Sequence, residues 1–437
     1  VGSEMCIRDR DYTSEIHVRY RLEVREGIMP VLLSEDYTYP LPELCKVQQI
    51  FDRTLLEDVE GTLKRELAKK EITGKIHPGD RVAVAVGSRG IKNLFLIVRT
   101  VIEDVRKKGG IPYIVSAMGS HGNGTEEGQR EVLASYGITE ENLGVEIVTT
   151  VDVNHLGRTP SGKDVYFDRA AMEADAVIPI NRVKLHTDFV GDLQSGLCKM
   201  LVIGLGNQIG CSSIHEEDPD EFAAIIEDAA SLILKKCRIA YGIAAIENAY
   251  DETFMIEAVA AENMIKREKE LVKIARTKMP VLIPPKIDVL IVEEIGKNIS
   301  GAGYDPNILG KSSVLKEFCL PVPEIKRMVL LGVTPQSHGN AIGIGLFDVT
   351  VKEVFEQLDY EAMYANAIAC RCIEDCRVPL VAADEDEAVR VAIKCIRNVK
   401  KEDLRIVKIK NTLELEYIQV SKTVLEDIRP DERIRIL

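Results

Sequence analysis

Long apolar runs, a signal-peptide pattern and an excess of basic residues are all missing from this chain of 437 residues. No stretch approaches the roughly 18 consecutive apolar residues that a membrane-spanning helix needs, and the chain does not open with a signal-peptide pattern. The formal net charge of −14 argues against non-specific binding to nucleic acid or to anionic membranes. These absences predict a cytoplasmic protein without nucleic-acid or membrane partners.

Cysteine is present but is not arranged as a disulfide framework. Ten cysteines are scattered along the chain, which is typical of reduced thiols in the cytosol. The only cluster is Cys370, Cys372 and Cys376, and three thiols without an obvious fourth ligand make a poor zinc or iron–sulfur site. We therefore expect these three cysteines to serve packing.

The length and the pattern of the chain favour two domains. Residues 1–10 have no structural logic and begin without Met, so we interpret them as an artefactual leader and exclude them. A charged helical region ends at Met279 and Pro280, and the proline pair at 284–285 then precedes a new series of strands. The pattern predicts an N-terminal cofactor-binding domain over 11–279 and a C-terminal domain over 286–437. The last part, from Leu404 onward, is expected to pack on either domain.

Short apolar runs alternate with loops and amphipathic helices along both predicted domains. The expected strands are 15–24, 81–86, 112–118, 145–151, 176–180, 289–293, 328–333 and 380–383, and the expected helices include 55–67, 94–107, 125–136, 218–236 and 256–278. This alternation is typical of an α/β fold with mainly parallel sheets. Ligands bind such folds beyond the carboxyl ends of the strands, so we expect the active site in the cleft between the two domains.

Basic and polar residues stand directly after four of these strands. Arg89, His121 and His186 follow strands of the first domain, and the segment 294–297 follows the first strand of the second. The glycines around His121 let backbone amides approach a ligand closely. His186 precedes Asp188, which we expect to orient the imidazole. Each histidine alone is also compatible with a local structural role.

Two more residues follow His186 within one loop-rich stretch. Lys199 stands among apolar residues and glycines, where loss of water lowers the pKa of an amine and frees it for covalent chemistry. The alternative is a lysine that extends from a buried segment to solvent. His215 lies sixteen residues after Lys199, before an acidic helix, and could equally be a cap-region residue.

Seven residues together resemble, in order and approximate spacing, the active site of the nickel-dependent lactate racemase family: Arg89, His121, His186, Lys199, His215, Glu294 and Lys297. The resemblance extends over about residues 80–345, and its most specific part is the block from His186 through the sequence Ser-Gly-Leu-Cys-Lys at 195–199 to His215. It implies two α/β domains and a nickel-pincer nucleotide, a pyridinium mononucleotide that carries nickel.

The resemblance also implies a role for each residue. His121 and His186 would act as acid and base, and Lys199 would be joined to the nucleotide. His215 would ligate nickel, for which an imidazole is a suitable ligand. The substrate carboxylate would be bound by Arg89 and Lys297, with Glu294 beside them.

The chain departs from typical lactate racemases near the substrate. Val86 stands where those enzymes have an acidic residue before the arginine, and Glu294 replaces an uncharged amide. Tryptophan, which lactate racemase places near the substrate methyl group, is absent from the chain. The expected activity is racemisation or epimerisation of a small 2-hydroxy acid, lactate-like or a sugar acid, by hydride transfer to the nickel-pincer nucleotide. The proteins that synthesise the cofactor are the expected partners.

Two other functions fit the same residues. Lys199 could form a Schiff base with a carbonyl substrate, in an enzyme that needs no nickel. The chain could also be a homologue that binds the nickel cofactor without catalysis. Neither histidine is missing, which favours a catalyst over the second alternative.

Overall fold

The structure is a computed structural model that describes residues 32–88, 90–398 and 400–437. The predicted leader and the predicted strand at 15–24 lie outside these residues, and so does Arg89. The predicted α/β class with mainly parallel sheets is confirmed. The division into domains at 279–286 and the cleft between the domains stay predictions.

The strands of the described residues, in chain order, are β1 Leu44–Gln49, β2 Arg81–Val86, β3 Ile111–Ser116, β4 Ile147–Val148, β5 Val153–Arg158, β6 Asp164–Asp168, β7 Ala176–Arg182, β8 Tyr241–Glu247, β9 Thr253–Ala260, β10 Lys286–Val292, β11 Glu324–Leu330, β12 Val349–Val351, β13 Leu380–Ala382, β14 Ile406–Ile409, β15 Tyr417–Ser421 and β16 Ile434–Ile436.

The α-helices of the same residues are α1 Val59–Leu67, α2 Lys70–Thr73, α3 Leu94–Lys107, α4 Glu126–Ser135, α5 Glu140–Leu143, α6 Arg169–Met172, α7 Leu197–Lys199, α8 Asn207–His215, α9 Phe222–Lys236, α10 Met264–Lys278, α11 Pro306–Leu309, α12 Lys352–Glu356, α13 Tyr360–Ala369, α14 Glu385–Lys394 and α15 Lys422–Ile428.

A six-stranded sheet carries the first series of strands, in the order β4-β3-β2-β7-β8-β9. Its pairs are parallel except for the antiparallel edge pair β8–β9. Strands β2 and β3 are buried over all but their first residue, as expected for central parallel strands with both faces covered. Because β2, β3 and β7 run in the same direction, their carboxyl ends meet at one edge of the sheet.

An eight-stranded sheet has the order β13-β12-β11-β10-β14-β15-β1-β16. The pairs from β13 to β14 are parallel, and the pairs that involve β15, β1 and β16 are antiparallel. Strand β1 comes from the N-terminal part of the described chain, yet it pairs with β15 and β16 near the C-terminus. The last strands therefore belong to this sheet rather than to the six-stranded one.

Several expected elements differ from the structure. The predicted helix at 256–278 begins only at Met264, because residues 253–260 pair with β8 as strand β9. The predicted strand at 145–151 shrinks to β4, and the chain continues into the hairpin β5–β6. In both places, pairing with a neighbouring strand outweighs the local pattern.

No single helix of the described residues combines the length and the apolar character needed to cross a membrane, although the bent pair Leu197–Gly204 and Asn207–His215 meets the same length and composition test.

Gln49, at the end of β1, joins three distant parts of the chain. Its side chain is fully buried. It donates a hydrogen bond to the Leu415 carbonyl at 2.7 Å and accepts one from the Ile283 backbone N–H at 2.9 Å. Ile283 lies just before β10, so this one amide ties the entry of the second series of strands to β1.

We expect Gln49→Ala to lower the free energy of unfolding by about 3 kcal/mol, because it leaves a buried donor and a buried acceptor unpaired. Gln48→Ala, at the neighbouring half-buried position, should cost under about 1 kcal/mol. Urea denaturation of both variants measures the difference. Equal losses would contradict the proposed bridging role.

Candidate active site

A cavity of about 230 Å³ lies beyond the carboxyl ends of β2, β3 and β7. Four of the residues predicted from the sequence reach it from the first series of strands, and a fifth reaches it from the loop after β10: His121, His186, Lys199, His215 and Lys297. The structure therefore brings together residues that are up to 176 positions apart in the chain, between His121 and Lys297.

His121 stands in the loop after β3, in contact with the loop after β2. The Ser88 hydroxyl forms a hydrogen bond with Nδ1 of its imidazole. The loop turns at Gly122, which has φ of +64°, and a Cβ there would come within 2.6 Å of the Gln129 backbone nitrogen. Only glycine fits this turn, so the glycine-rich sequence serves to place His121. Ser88 was not identified from the sequence.

The imidazole of His186 is held on several sides. It stacks on the Phe189 ring, with centroids 4.3 Å apart, and its Nδ1 accepts a hydrogen bond from the Asp188 backbone N–H at 3.0 Å. The prediction that Asp188 orients this ring is correct in the residue, but the orienting group is the backbone N–H. Asn307 donates to the His186 carbonyl at 2.9 Å, which links the loop after β7 to α11.

Lys199 ends α7, and its amine lies against His186. The distance from Lys199 Nζ to His186 Nε2 is 2.5 Å. The residues around Lys199 in α7 and the following turn are buried: Leu197, Cys198, Met200 and Leu201. The expectation that this lysine stands in an apolar segment is confirmed. Its own side chain lines the cavity.

Glu268, on α10, holds the start of α7 and was not identified from the sequence. Its side chain is fully buried, and one carboxyl oxygen accepts a hydrogen bond from the Cys198 backbone N–H at 2.9 Å. A Cβ at Gly196 would come within 2.6 Å of this carboxyl group, so glycine is required for its close approach. Burial raises the pKa of Glu268 to about 7, against an ordinary value of 4.5.

His215 is the last residue of α8, and its ring meets the Phe222 ring edge-on at 5.6 Å. Cys211 lies one turn earlier, 3.6 Å from the Ser120 hydroxyl. Burial raises the pKa of the Cys211 thiol, but the hydrogen bonds with His215 and Ser120 outweigh burial and leave that pKa below its ordinary value. Within the described part of the chain, no three His, Cys, Asp or Glu side chains converge as a metal site.

Lys297 and Glu294 have different surroundings. The Lys297 ammonium donates to the Gly301 carbonyl at 2.8 Å, and both residues line the cavity. Glu294 does not line it; its carboxylate accepts a hydrogen bond from Asn411 at 2.9 Å. Of the three expected substrate ligands, the structure brings Lys297 to the cavity, leaves Glu294 outside it and does not describe Arg89.

A second cavity of about 240 Å³ adjoins the first one and shares Asp188, His215 and Cys370 with it. The two cavities therefore meet between the loop after β7 and the end of α13. Of the cysteine cluster, Cys370 lines both cavities, while the Cys372 thiol donates to the Cys370 carbonyl at 3.0 Å. The nine cysteines of the described residues are free thiols.

Glu268 makes stability depend on pH. Its pKa is higher in the folded chain than in the unfolded one, so its contribution is complete below about pH 4.5 and is lost as the pH rises through about 7. The loss should be about 3 kcal/mol across this window. We expect Glu268→Gln to remove this part of the pH dependence, as measured by urea unfolding at a series of pH values.

The matched control is Glu270→Gln on the same helix, where the exposed carboxylate pairs with Arg267. Glu270→Gln should leave the pH dependence of the free energy of unfolding unchanged between pH 4.5 and 7. An unchanged slope in Glu268→Gln would mean that this carboxyl group is already ionised in the folded chain.

Residues 42–221 match the family described as lactate racemase N-terminal domain. This segment contains His121, His186, Lys199 and His215. A sequence comparison with curated proteins gives no match.

Among solved structures, the fold is similar to that of the lactate racemase apoprotein from Thermoanaerobacterium thermosaccharolyticum. The TM-score is 0.51 at 14% identity, over 85% of this chain and 99% of that protein. At this identity the likeness establishes the fold.

Proposed function

We propose that the chain racemises or epimerises a small 2-hydroxy acid, because residues 42–221 match the family described as lactate racemase N-terminal domain. The observation that carries the proposal is that His121, His186, Lys199 and His215 line a single cavity. Two imidazoles are suited to proton transfer near neutral pH, and Lys297 offers a cation for the substrate carboxylate.

The residues of the cavity fit a nickel-pincer nucleotide. Lys199 presents an amine for covalent attachment, and His215 presents an imidazole for nickel. Because the described residues form no metal site of three or more ligands, a nickel ion at His215 would need its other ligands from a bound group. When bound, this nucleotide would supply an acceptor for the hydrogen on Cα of the substrate.

The chain's own residues would then handle protons and orientation. His121 and His186 would each exchange a proton with the substrate hydroxyl, one for each enantiomer, since the two enantiomers present that hydroxyl on different sides. The carboxylate would be held by Lys297, together with Arg89. The substrate would be a small 2-hydroxy acid, lactate-like or a sugar acid.

The remaining properties follow from the same function. Free thiols and a net charge of −14 support a cytoplasmic protein without nucleic-acid or membrane partners. The proteins that synthesise the cofactor would be its partners during maturation.

We expect the chain to gain stoichiometric nickel, and a covalent adduct at Lys199, only when it is expressed with the enzymes that synthesise the cofactor. His215→Ala should lose nickel, and Lys199→Ala should lose the adduct mass, with the fold intact by circular dichroism. His77→Ala, at an exposed position, should lose neither. Elemental analysis and intact-mass spectrometry give the two readouts. Full nickel in His215→Ala would refute the ligand assignment.

Inversion of a 2-hydroxy acid in D2O should give a product that keeps its original Cα hydrogen. A hydrogen held by a bound acceptor does not exchange readily with water, whereas a hydrogen removed as a proton does. Mass spectrometry of the product at early conversion, for lactate and for an aldonic acid, measures the retention. His121→Ala and His186→Ala should each lower kcat by about 10²- to 10⁴-fold.

Other outcomes would select a different function. Deuterium at Cα would exclude return of the same hydrogen. Activity without nickel, with trapping of Lys199 by borohydride, would indicate a Schiff-base enzyme. Bound cofactor without turnover of any 2-hydroxy acid would indicate a non-catalytic homologue.

A further inference from the structure

The second cavity adjoins the first one beside the residues proposed for catalysis. Asp188, His215 and Cys370 line both cavities, whereas Lys297 and the two histidines proposed for proton transfer line the first one. The two volumes are similar, about 240 and about 230 Å³. A substrate whose carboxylate contacts Lys297 and whose reacting carbon lies by the two histidines therefore has a second space next to it, into which the rest of its carbon chain can extend.

Carboxylates outnumber cations in the lining of the second cavity. Among the described residues, its charged side chains are four acidic and two basic ones: Asp188, Glu217, Asp218, Glu374, Lys316 and Arg371. Ion pairs with residues outside the lining do not remove this difference, because two of the carboxylates pair with cations and both cations pair with carboxylates. The cavity therefore carries a net negative charge when these groups are ionised.

The same lining can bind hydroxyl groups. Its carboxylates accept hydrogen bonds, and Ser313, Lys316 and Arg371 can donate them. The ring of Phe222 also lines the cavity and offers an apolar surface. Each hydroxyl group both donates and accepts a hydrogen bond, and the C–H groups between hydroxyl groups pack on apolar atoms. A carbon chain that bears several hydroxyl groups therefore matches this lining.

A second anionic group matches the lining poorly. A carboxylate at the far end of the chain would meet an excess of like charge, which opposes its binding. Both cations of the lining are largely exposed and pair with carboxylates outside it. The phosphate of a nucleotide would meet the same charge. The second cavity therefore suits an uncharged part of the substrate better than it suits the charged part of a cofactor.

We propose that the second cavity receives the part of the substrate beyond carbon 3 and selects an uncharged, hydroxyl-bearing chain over one that ends in a carboxylate. The inference rests on the proposed function and narrows its substrate from small 2-hydroxy acids in general to aldonic acids. Glu217, Asp218 and Glu374 are the specificity-determining residues, because they line the second cavity and not the first one.

The first test measures the charge of the second cavity in the chain produced without cofactor. Iodoacetamide is neutral and iodoacetate is an anion of similar size, so the ratio of their alkylation rates at Cys370 reports the local potential. Burial raises the pKa of the Cys370 thiol to about 11, which slows both reagents alike. Peptide mass spectrometry should give a ratio about threefold higher at Cys370 than at Cys395, which is also exposed. Added salt should shrink this difference.

Glu374→Gln removes one of the four carboxylates and should lower the ratio at Cys370 about twofold. The matched control is Glu361→Gln, an equal change of charge at an exposed position of α13 that lines neither cavity. It should leave the ratio unchanged. Should Glu374→Gln fail to fold, the ratio in the wild-type chain and its salt dependence still decide.

The second test uses the chain loaded with cofactor by co-expression. It compares a six-carbon aldonic acid with the aldaric acid of the same configuration, which differs only in its carboxylate at carbon 6. The aldaric acid carries a 2-hydroxy acid at both ends, so it does not lack the reacting group. We expect kcat/KM for inversion to be at least about tenfold higher for the aldonic acid. Glu374→Gln should raise the value for the aldaric acid, and Glu361→Gln should not.

Equal ratios at Cys370 and Cys395 would overturn the inference without any measurement of activity. Equal turnover of both acids, or turnover of lactate alone, would overturn it and leave the proposed function standing. A high ratio at Cys370 in a loaded chain that inverts neither these acids nor lactate would refute the proposed function, and the choice of substrate with it. The negative charge of the second cavity would still stand in that case.

Discussion

The parallel direction of β2, β3 and β7 is the constraint on which the site depends. The three strands are aligned in the sheet, with Val84 of β2 opposite both Ile114 of β3 and Ile178 of β7. The three strands therefore end at the same level, and the residues that follow each of them project from one edge of the sheet. Ser88, His121 and His186 lie close together because the loops that follow parallel strands all begin at the same edge of the sheet.

The second requirement is a fixed segment between β7 and α9, and buried polar contacts supply it. The Asn181 side chain donates a hydrogen bond to the Gly196 carbonyl at 2.7 Å, and the Glu268 carboxyl group accepts one from the Cys198 backbone N–H. A buried carboxyl group is costly unless it is hydrogen-bonded or neutral. Burial of the Glu268 carboxyl group lowers the free energy of unfolding, and the same carboxyl group holds the start of the helix that carries Lys199. The stability of the fold is therefore connected to the geometry of the cavity.

Backbone N–H groups help to position the side chains of His186 and Lys199. The Asp188 backbone N–H donates to Nδ1 of His186 at 3.0 Å, and Nε2 of the same ring lies 2.5 Å from Lys199 Nζ. The elements that hold these groups are short loops and a single helical turn. Their precision comes from neighbours in α10 and α11 rather than from the segment itself.

The sequence by itself determined the α/β class, the strands β2, β7 and β10 within a few residues, and the cluster of His121, His186, Lys199 and His215. Periodicity and strand-end placement predict the strands and the positions of His121 and His186, because they depend on local burial and on the direction of parallel strands. Lys199 and His215 were predicted from the resemblance to a known family. It did not reveal that β1 crosses to the eight-stranded sheet or that 253–260 forms a strand, since both depend on partners distant in the chain. Only the tertiary structure decided the contacts of Ser88 and Glu268, the position of Glu294 outside the cavity and the contact between His186 and Lys199. Each of these is set by a contact with a residue that no local pattern specifies.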